Sequence, residues 1–465
     1  MKKLNELLPC NYDIEIKGIA DDSRDVHEGY LFVATKGFNV DHANYIDEAI
    51  SRGAVAVVSA MDKELTVPLV VVDNVNDVYR ELCRKFFDVD YDKLSLIGIT
   101  GTDGKTTTAS IVRELLNDLI PTAYLGTNGL EVLDEIYTTN NTTPGGFELA
   151  KCFSEIEKRD VSSLVMEVSS EALLHKRVVD LAYDIVAITN ITEDHLNIHG
   201  SIENYIKCKL DILNYVKKDG VVIVNGDDFN SQKVSGNNVY KFGFSKNNDY
   251  IIEDVSFLST TTFKIRNNDK VYAITSPLKG LYNVYNVALA FIICLKKGVG
   301  TDKLIERIRH LNCVKGRGEE LDFGQDFTIV LDYAHTYNAI KNILDVYRPL
   351  YKKMIVVTGA AGGREKEKRA KIGALVLDVC DIVIFTMDDP RYEDVGEIID
   401  DLLSSTSGTN YLRINDRVLA IKKAFCLADK DTVVLILGKG RDNYMAIEDK
   451  KIKYSDYEVI RDYFI

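Results

Sequence analysis

Along most of this chain, short apolar runs rich in β-branched residues alternate with stretches of helical period. Leu94–Ile99, Ser163–Val168, Ile185–Thr189 and Val221–Val224 are near-continuous apolar runs, the pattern of strands buried on both faces of a parallel sheet. Helix is predicted over Ala109 to Leu119, Glu203 to Tyr215 and Tyr282 to Lys297. Between about 237 and 276 the pattern changes to short strands parted by Asn247-Asn248 and Asn267-Asn268, which predicts a small antiparallel sheet. From about 315 the alternation resumes, with strands at Thr328–Leu331, Met354–Val357, Ile382–Phe385 and Val433–Leu437. Residues 1 to about 90 form a separate α/β segment with strands at Tyr30–Ala34 and Ala54–Val58. The expectation is an α/β protein of three domains, 1–90, 91–314 and 315–465. Ligand sites in open sheets of this kind lie beyond the carboxyl ends of the strands.

Composition narrows the class. A chain of 465 residues is too long for one core. Its 46% hydrophobic and 28% charged residues are ordinary for a globular protein. A net charge of −14 argues against a general nucleic-acid binder, so cations should cluster locally. Eight cysteines without a Cys-x-x-Cys pair suit reduced thiols and a cytoplasmic location. No run approaches 18 apolar residues, and charge and proline interrupt the segment after Met1-Lys2-Lys3, so neither membrane insertion nor a signal segment is expected.

The strongest chemical signal is Ile97-Gly98-Ile99-Thr100-Gly101-Thr102-Asp103-Gly104-Lys105-Thr106-Thr107, set between a predicted strand and a predicted helix. Such a loop wraps backbone N–H groups and a helix N-terminus around phosphate oxygens. Lys105 would reach the terminal phosphates of a nucleoside triphosphate, and the Thr106 hydroxyl would sit on Mg²⁺. The spacing is not the standard one, because Ile99 stands where the usual loop has its first glycine. Glu167, at the tip of a neighbouring predicted strand, is a candidate second Mg²⁺ anchor. His195 and His199, four apart, could share a helix face and bind metal or serve structure alone. Spacing alone makes Lys207 and Lys209 surface lysines.

Further motifs lie in order along the chain. They are Asp22-Ser23-Arg24, Asn141-Thr142-Thr143-Pro144, Met166-Glu167-Val168-Ser169-Ser170-x-Ala172-Leu173 with Arg177-Val178, Asp194-His195-Leu196 and His199-Gly200. After them come Asn283-Val284-Tyr285-Asn286, Arg317-Gly318-Glu319, Asp332-Tyr333-Ala334-His335-Thr336, Gly363-Arg364, Lys368-Arg369, Asp388-Asp389-Pro390-Arg391 and Gly438-Lys439-Gly440. With Gly98-x-x-Gly101-x-x-Gly104-Lys105-Thr106, this series resembles the Mur ligase superfamily from residue 22 to 460, and within it the MurE type. The resemblance implies an ATP- and Mg²⁺-dependent enzyme that adds a free amino acid to a UDP-MurNAc-dipeptide through an acyl phosphate. It implies an N-terminal uridine-nucleotide-binding domain, a central ATP-binding domain and a C-terminal Rossmann-like, amino-acid-binding domain, acting as a monomer.

The same resemblance distributes roles. Gly101, Thr102, Asp103, Gly104, Lys105, Thr106 and Thr107 would hold the nucleotide phosphates, Asn283 and Asn286 the adenine, and Asp332 the ribose, with Arg317 also on the nucleotide. Thr106, Glu167, His195 and Lys209 would serve the metal, Lys209 as a carbamate, since an ammonium cannot ligate Mg²⁺ but its CO₂ adduct can. Lys105, His195, Lys209 and His335 would serve the chemistry. Ser23, Arg24, Thr142, Thr143, Ser169, Arg177, Asp388, Asp389, Arg391, Gly438 and Asp442 would bind the substrates, although Ser23-Arg24 alone reads as a surface turn.

Departures from the family pattern cluster. Asp103 replaces an Asn, Glu171 a His, Asp389 the Asn of Asp-Asn-Pro-Arg, and Arg441-Asp442 a His-Glu pair. Two carboxylates near the far end of the incoming side chain would favour a simple cation such as lysine and repel the extra carboxylate of diaminopimelate. Arg391 would hold the α-carboxylate. Alternatives are a divergent paralogue that adds another amino acid, a P-loop kinase, and a non-catalytic muropeptide-binding protein.

Overall fold

The computed structural model describes residues 1–37, 40–258, 260–364 and 366–465. The chain forms two compact units, one of Met1–Thr100, Leu116–Val186 and Cys208–Gly220, the other of Gly101–Leu115, Ala187–Lys207 and Val221–Ile465.

In the first unit, Gly18–Ala20, Tyr30–Val33, Ala54–Ser59 and Leu69–Val71 form a four-stranded parallel sheet in chain order. Leu31, Val33, Ala56 and Val58 turn one face into a core shared with Leu82 and Cys83 of the Val75–Phe87 helix. That helix starts where the Asn74 side chain accepts the Asp77 N–H, satisfying an otherwise orphaned donor. A second sheet in this unit runs in the order Glu135–Tyr137, Gly129–Val132, Thr122–Gly126, Ser163–Glu167, Ser95–Thr100, Tyr183–Ile188. Its Thr122–Gly126, Ser163–Glu167 and Ser95–Thr100 strands are parallel. Every residue of Ser163–Glu167 is buried, which is why that strand reads as an unbroken apolar run ending in a carboxylate.

In the second unit, Val216–Asn225, Val239–Gly243 and Tyr250–Phe257 pair in parallel. Tyr250–Phe257, Thr261–Asn267 and Lys270–Ser276 then form an antiparallel meander. Within the segment expected to be antiparallel, Val239–Gly243 pairs in parallel on both sides, and only the strands from Tyr250–Phe257 onward are antiparallel, extending the parallel strands instead of standing as a separate sheet. The Leu281–Lys296 helix is apolar on nearly all sides and correspondingly buried.

A six-stranded sheet comes next, in the order Glu319–Leu321, Thr328–Asp332, Thr432–Leu437, Lys353–Thr358, Ile382–Phe385, Tyr411–Arg413, parallel except for its first strand. Alternate residues of these strands feed two cores. Val330, Val356 and Leu435 pack with the Tyr337–Tyr347 and Lys366–Val379 helices, while Leu331, Val357 and Ile436 pack with Arg417–Leu427 and Asp456–Phe464. This matches the doubly wound arrangement expected of the last segment, and Asp332, Asp388 and Gly438 lie at or just past the carboxyl ends of its strands. Among the described residues no helix is long and apolar enough to cross a membrane.

Candidate active site

The Gly101–Thr107 loop ends at the N-terminus of the Lys105–Leu116 helix. Two glycines are required by space and by backbone. Gly101 has φ +151° and a Cβ there would lie 1.8 Å from Thr189 Oγ1; Gly104 has φ +83° and a Cβ would lie 2.5 Å from Asn286 Oδ1. The segment Thr189-Asn190 pins the loop. Asn190 O accepts the Thr102 N–H at 2.9 Å, Asn190 Oδ1 accepts the Asp103 N–H at 3.0 Å, and Thr189 Oγ1 donates to Asp103 O at 2.7 Å. Thr102 Oγ1 meets Tyr205 Oη at 3.1 Å. Lys105 Nζ donates to Gly101 O and Thr102 O, both at 3.0 Å. The ammonium is thus held over the loop by neutral carbonyls.

Around this loop sit several of the predicted residues. Arg317 lies over the Tyr333 ring, 4.4 Å from its centre, and its Nη2 donates to Thr106 Oγ1 at 3.1 Å. Asn286 accepts from Thr108 Oγ1 at 3.3 Å and donates to Asn283 Oδ1 at 3.2 Å, while Asn283 donates to Lys279 O. Asn286 therefore braces the Lys105–Leu116 helix, and Asn283 holds Asn286 and the turn before their own helix. Asp332 accepts the Ala334 N–H at 2.6 Å and the Gly318 N–H, and burial pushes its carboxyl up against the pull of Arg317. Asp103 is likewise pushed up by burial, with Lys105, His335 and Arg317 opposing and Asp194 adding to the shift. The extra carboxylate of the loop thus lies among cations. His335 is exposed and its Nδ1 donates to Tyr333 O at 2.8 Å, since a carbonyl can only accept.

His195 and His199 do not share a helix face. His195 is the N-cap of the one-turn Leu196–His199 helix, with left-handed φ +53°. Arg364 Nη1 donates to its Nδ1 at 2.9 Å, and its Nε2 lies 3.3 Å from Asp194 Oδ2, so both ring nitrogens are engaged. His199 is buried edge-on against Tyr205 at 5.2 Å. Lys368 approaches Asp194 at 3.6 Å. Burial alone would raise Asp194, but His195, His335 and Lys368 outweigh it and hold the carboxyl down at about 2.

In the first unit, buried Glu167 accepts from Tyr124 Oη at 2.5 Å and from Thr127 N at 2.9 Å. Thr143 staples two motifs together: its hydroxyl donates to Glu167 O at 2.7 Å and accepts the Ser169 N–H at 3.0 Å, and its carbonyl accepts from Arg177 at 3.3 Å. Thr142 meets Thr127 at 3.2 Å. Lys209 is not a surface lysine; it is 1% exposed near the end of the Ile202–Leu210 helix. Ser23 donates to Glu48 at 3.0 Å, while exposed Arg24 pairs locally with Asp22.

The C-terminal cluster adds a cation that the two-carboxylate expectation did not count. Asp389 and Asp442 are not a pair of open carboxylates. Lys439, 1% exposed, donates to Asp389 Oδ1 at 2.8 Å and lies 3.2 Å from Asp442 Oδ2. Burial pulls this ammonium's pKa down, but Asp442, Asp388 and Asp389 outweigh it and raise it. Buried Asp388 is pushed up by desolvation against the pull of Arg417 and Lys439. A Cβ at Gly438 would fall 2.1 Å from Asp388 Oδ2, so glycine there lets the two turns meet. Asp389 also accepts the Ala446 N–H at 2.8 Å, and exposed Arg391 is fixed through its backbone to Ala446 and Glu448. Thr189, Asn190, Tyr205 and Lys439 carry this geometry, yet no motif in the sequence assigns them a role; the Gly-Lys-Gly spacing was the available signal for Lys439.

Three family models match the chain: the Mur ligase family catalytic domain over residues 15–87, the Mur ligase middle domain over 99–294, and the Mur ligase glutamate ligase domain over 316–440. A UDP-N-acetylmuramoyl-L-alanyl-D-glutamate–2,6-diaminopimelate ligase from Bacillus licheniformis is 35% identical, across 97% of this chain and 94% of the relative. One of the same name from Fusobacterium nucleatum is 32% identical, across 98% and 95%. A solved structure of a ligase of that name is 27% identical with a TM-score of 0.65, covering 100% of this chain and 98% of that one. The ADP complex of a MurF ligase from Thermotoga maritima, 21% identical over 91% and 94%, shares the fold with a TM-score of 0.67. Similarity of this depth over nearly the whole of both chains shows that this chain belongs to the Mur ligase family and is an ATP-dependent ligase.

Proposed function

We propose that the chain adds a third amino acid to UDP-MurNAc-L-Ala-D-Glu, with a diamino acid as the incoming substrate. The observation that carries this reading is the pairing, within one compact unit, of a phosphate loop with the Asp388–Asp389–Lys439–Asp442 cluster beside Arg391. Full-length relatives named for diaminopimelate add support. Residues 1–90 would hold the uridine nucleotide through Ser23 and Arg24, residues 91–314 the ATP, and residues 315–465 the amino acid.

The dipeptide carboxylate attacks the γ-phosphoryl group of ATP, giving an acyl phosphate and ADP. The α-amine of the amino acid then attacks the acyl carbon, and phosphate leaves as the amide forms. Lys105 and Arg317 would meet the charge spread over the phosphoryl oxygens, joined by His335, whose charge acts on the neighbouring Asp103. Thr142, Thr143, Ser169 and Arg177 would align the muropeptide, which converts a three-body encounter into a local one. The Thr106 hydroxyl in one unit and the Glu167 carboxylate in the other are each oxygen donors of the kind a hard divalent cation takes, and such a cation would neutralise charge on the phosphates. Lys209, buried near the end of the Ile202–Leu210 helix, would carry a carbamate, whose anionic oxygen can ligate a divalent cation where an ammonium cannot. His195, already engaged by Arg364 and Asp194, would orient this region by hydrogen bonds. A cytoplasmic monomer completes the reading, consistent with eight free cysteines.

Lysine was the expected substrate on charge grounds, but that argument needs two unneutralised carboxylates. With Lys439 between them, the cluster bears less negative charge and can accept a far end that carries both an ammonium and a carboxylate. Diaminopimelate is therefore the favoured substrate, and lysine the second reading. Phosphate release from ATP and UDP-MurNAc-dipeptide, measured with diaminopimelate, lysine, ornithine and a neutral amino acid, tests it. Highest kcat/KM with diaminopimelate is expected; preference for lysine would restore the charge argument, and no amino-acid-dependent release would end the proposal.

A further inference from the structure

Arg441 stands where the family usually has histidine, and the roles assigned to nucleotide and amino-acid residues leave it without a task. Its side chain reaches the turn at residues 314–319. Arg441 Nε donates to Glu319 Oε2 at 2.8 Å and its Nη2 to Glu319 Oε1, a two-pronged pair, while its guanidinium carbon lies 3.4 Å from the centre of the Tyr457 ring. Glu319 Oε2 also accepts the Gly316 N–H at 2.7 Å. Gly316 has φ +70°, and a Cβ on it would lie 2.7 Å from Arg441 N, so the two turns are in backbone contact. Gly316 O accepts the Tyr333 N–H at 3.0 Å, and Tyr333 is the ring on which Arg317 lies. Arg317, next to Gly316, is the residue that reaches Thr106.

We propose that Arg441, acting through Glu319, is a positioning residue for Arg317 at the phosphate loop. Glu319 can hold the Gly316 N–H only while its second oxygen and its charge are met, and Arg441 meets both. Without that cation the carboxylate would turn toward water, the turn would loosen at Gly316, and Arg317 would lose its fixed register over Tyr333. Planar, two-pronged pairing is what the arginine fork supplies; a lysine ammonium would meet the charge without the geometry. The inference concerns nucleotide binding and rests on the reading of Arg317 as a nucleotide residue, not on which amino acid is added.

The test is a double-mutant cycle on the full chain, with the Kd for a fluorescent ADP analogue and the KM for ATP as readouts and thermal melting as a separate measure of folding. Arg317→Ala is expected to weaken nucleotide binding about tenfold or more. Arg441→Ala should cost about five- to tenfold, Arg441→Lys about half of that on a logarithmic scale, and Glu319→Gln an intermediate loss. In the Arg317→Ala background, Arg441→Ala should cost little more, because its route of action is already gone. Fully additive losses would overturn the proposal, as would a lowered melting temperature with nucleotide binding unmoved. No effect of Arg317→Ala itself would overturn both the proposal and the reading beneath it, whereas a failure only in amino-acid preference would touch neither. If Arg441→Ala does not fold, Arg441→Met, which keeps the apolar stem against Tyr457, serves in its place.

Discussion

Two short motifs, Gly104-Lys105-Thr106 and Gly438-Lys439-Gly440, look alike in the sequence and behave oppositely in the structure. Lys105 is held by two neutral carbonyls, Gly101 O and Thr102 O, so its charge is not cancelled by the contacts that position it. Lys439 is buried between Asp389 and Asp442, and its charge is consumed inside the protein. A lysine bound by dipoles is a ligand site in waiting. A lysine bound by carboxylates is part of the wall, and it sets the charge that an incoming substrate meets.

The contrast is sharpest at Lys105. Lys105→Ala should leave the fold intact by circular dichroism and lower turnover by about two to three orders of magnitude, as loss of a transition-state charge partner does. A well-folded mutant that keeps most of its activity would break the comparison. Lys209 offers a third case, a buried lysine whose charge is proposed to be inverted by CO₂. Lys209→Ala should be nearly inactive with nucleotide binding preserved, and short carboxylic acids should restore part of the rate. Intact mass and a structure of active enzyme showing an unmodified amine would remove the carbamate.

Lys439→Met tests the other side. It leaves Asp389 and Asp442 facing each other, so kcat/KM with diaminopimelate should fall by about one to two decades, while the lysine-to-diaminopimelate ratio rises. Asp389→Asn in that background should bring part of the loss back by removing one of the two charges. Unchanged amino-acid kinetics in a folded Lys439→Met would reduce Lys439 to packing.

The smallest effect is expected from Asp194, whose carboxyl is held at about 2 by His195, His335 and Lys368 against its own burial. Its folded pKa lies below the ordinary carboxylate value, so its contribution to stability is present above about pH 4 and is lost as pH falls toward 2. The loss should be about 2 kcal/mol, smaller in Lys368→Met, and visible in acid unfolding monitored by denaturant midpoint. An acid transition unchanged by Asp194→Asn would show that the pairing has no effect on stability.

The alternation of apolar runs and helical stretches was enough to read the doubly wound C-terminal sheet, the antiparallel meander and the buried Ser163–Glu167 strand. Burial on both faces leaves a run that no solvent-exposed segment tolerates. The Gly101–Lys105 turn between strand and helix was equally legible, since its glycines are demanded by positive φ and by the approach of Thr189 and Asn286. The histidine pair was not. A spacing of four suggests a helix face, yet a left-handed residue at His195 starts the helix one position later, and no sequence period reports that.

What the sequence determined by itself is therefore local: where strands and helices fall, and where a backbone must bend at a glycine. These properties come from side-chain size, branching and the φ freedom of single residues. Which charges face a ligand and which cancel within the chain was decided by tertiary structure alone. Lys439 meets Asp389 across 50 positions, Arg441 meets Glu319 across 122, and Arg317 meets Thr106 across 211. Electrostatic energy depends on distance and burial, and a one-dimensional order of residues records neither.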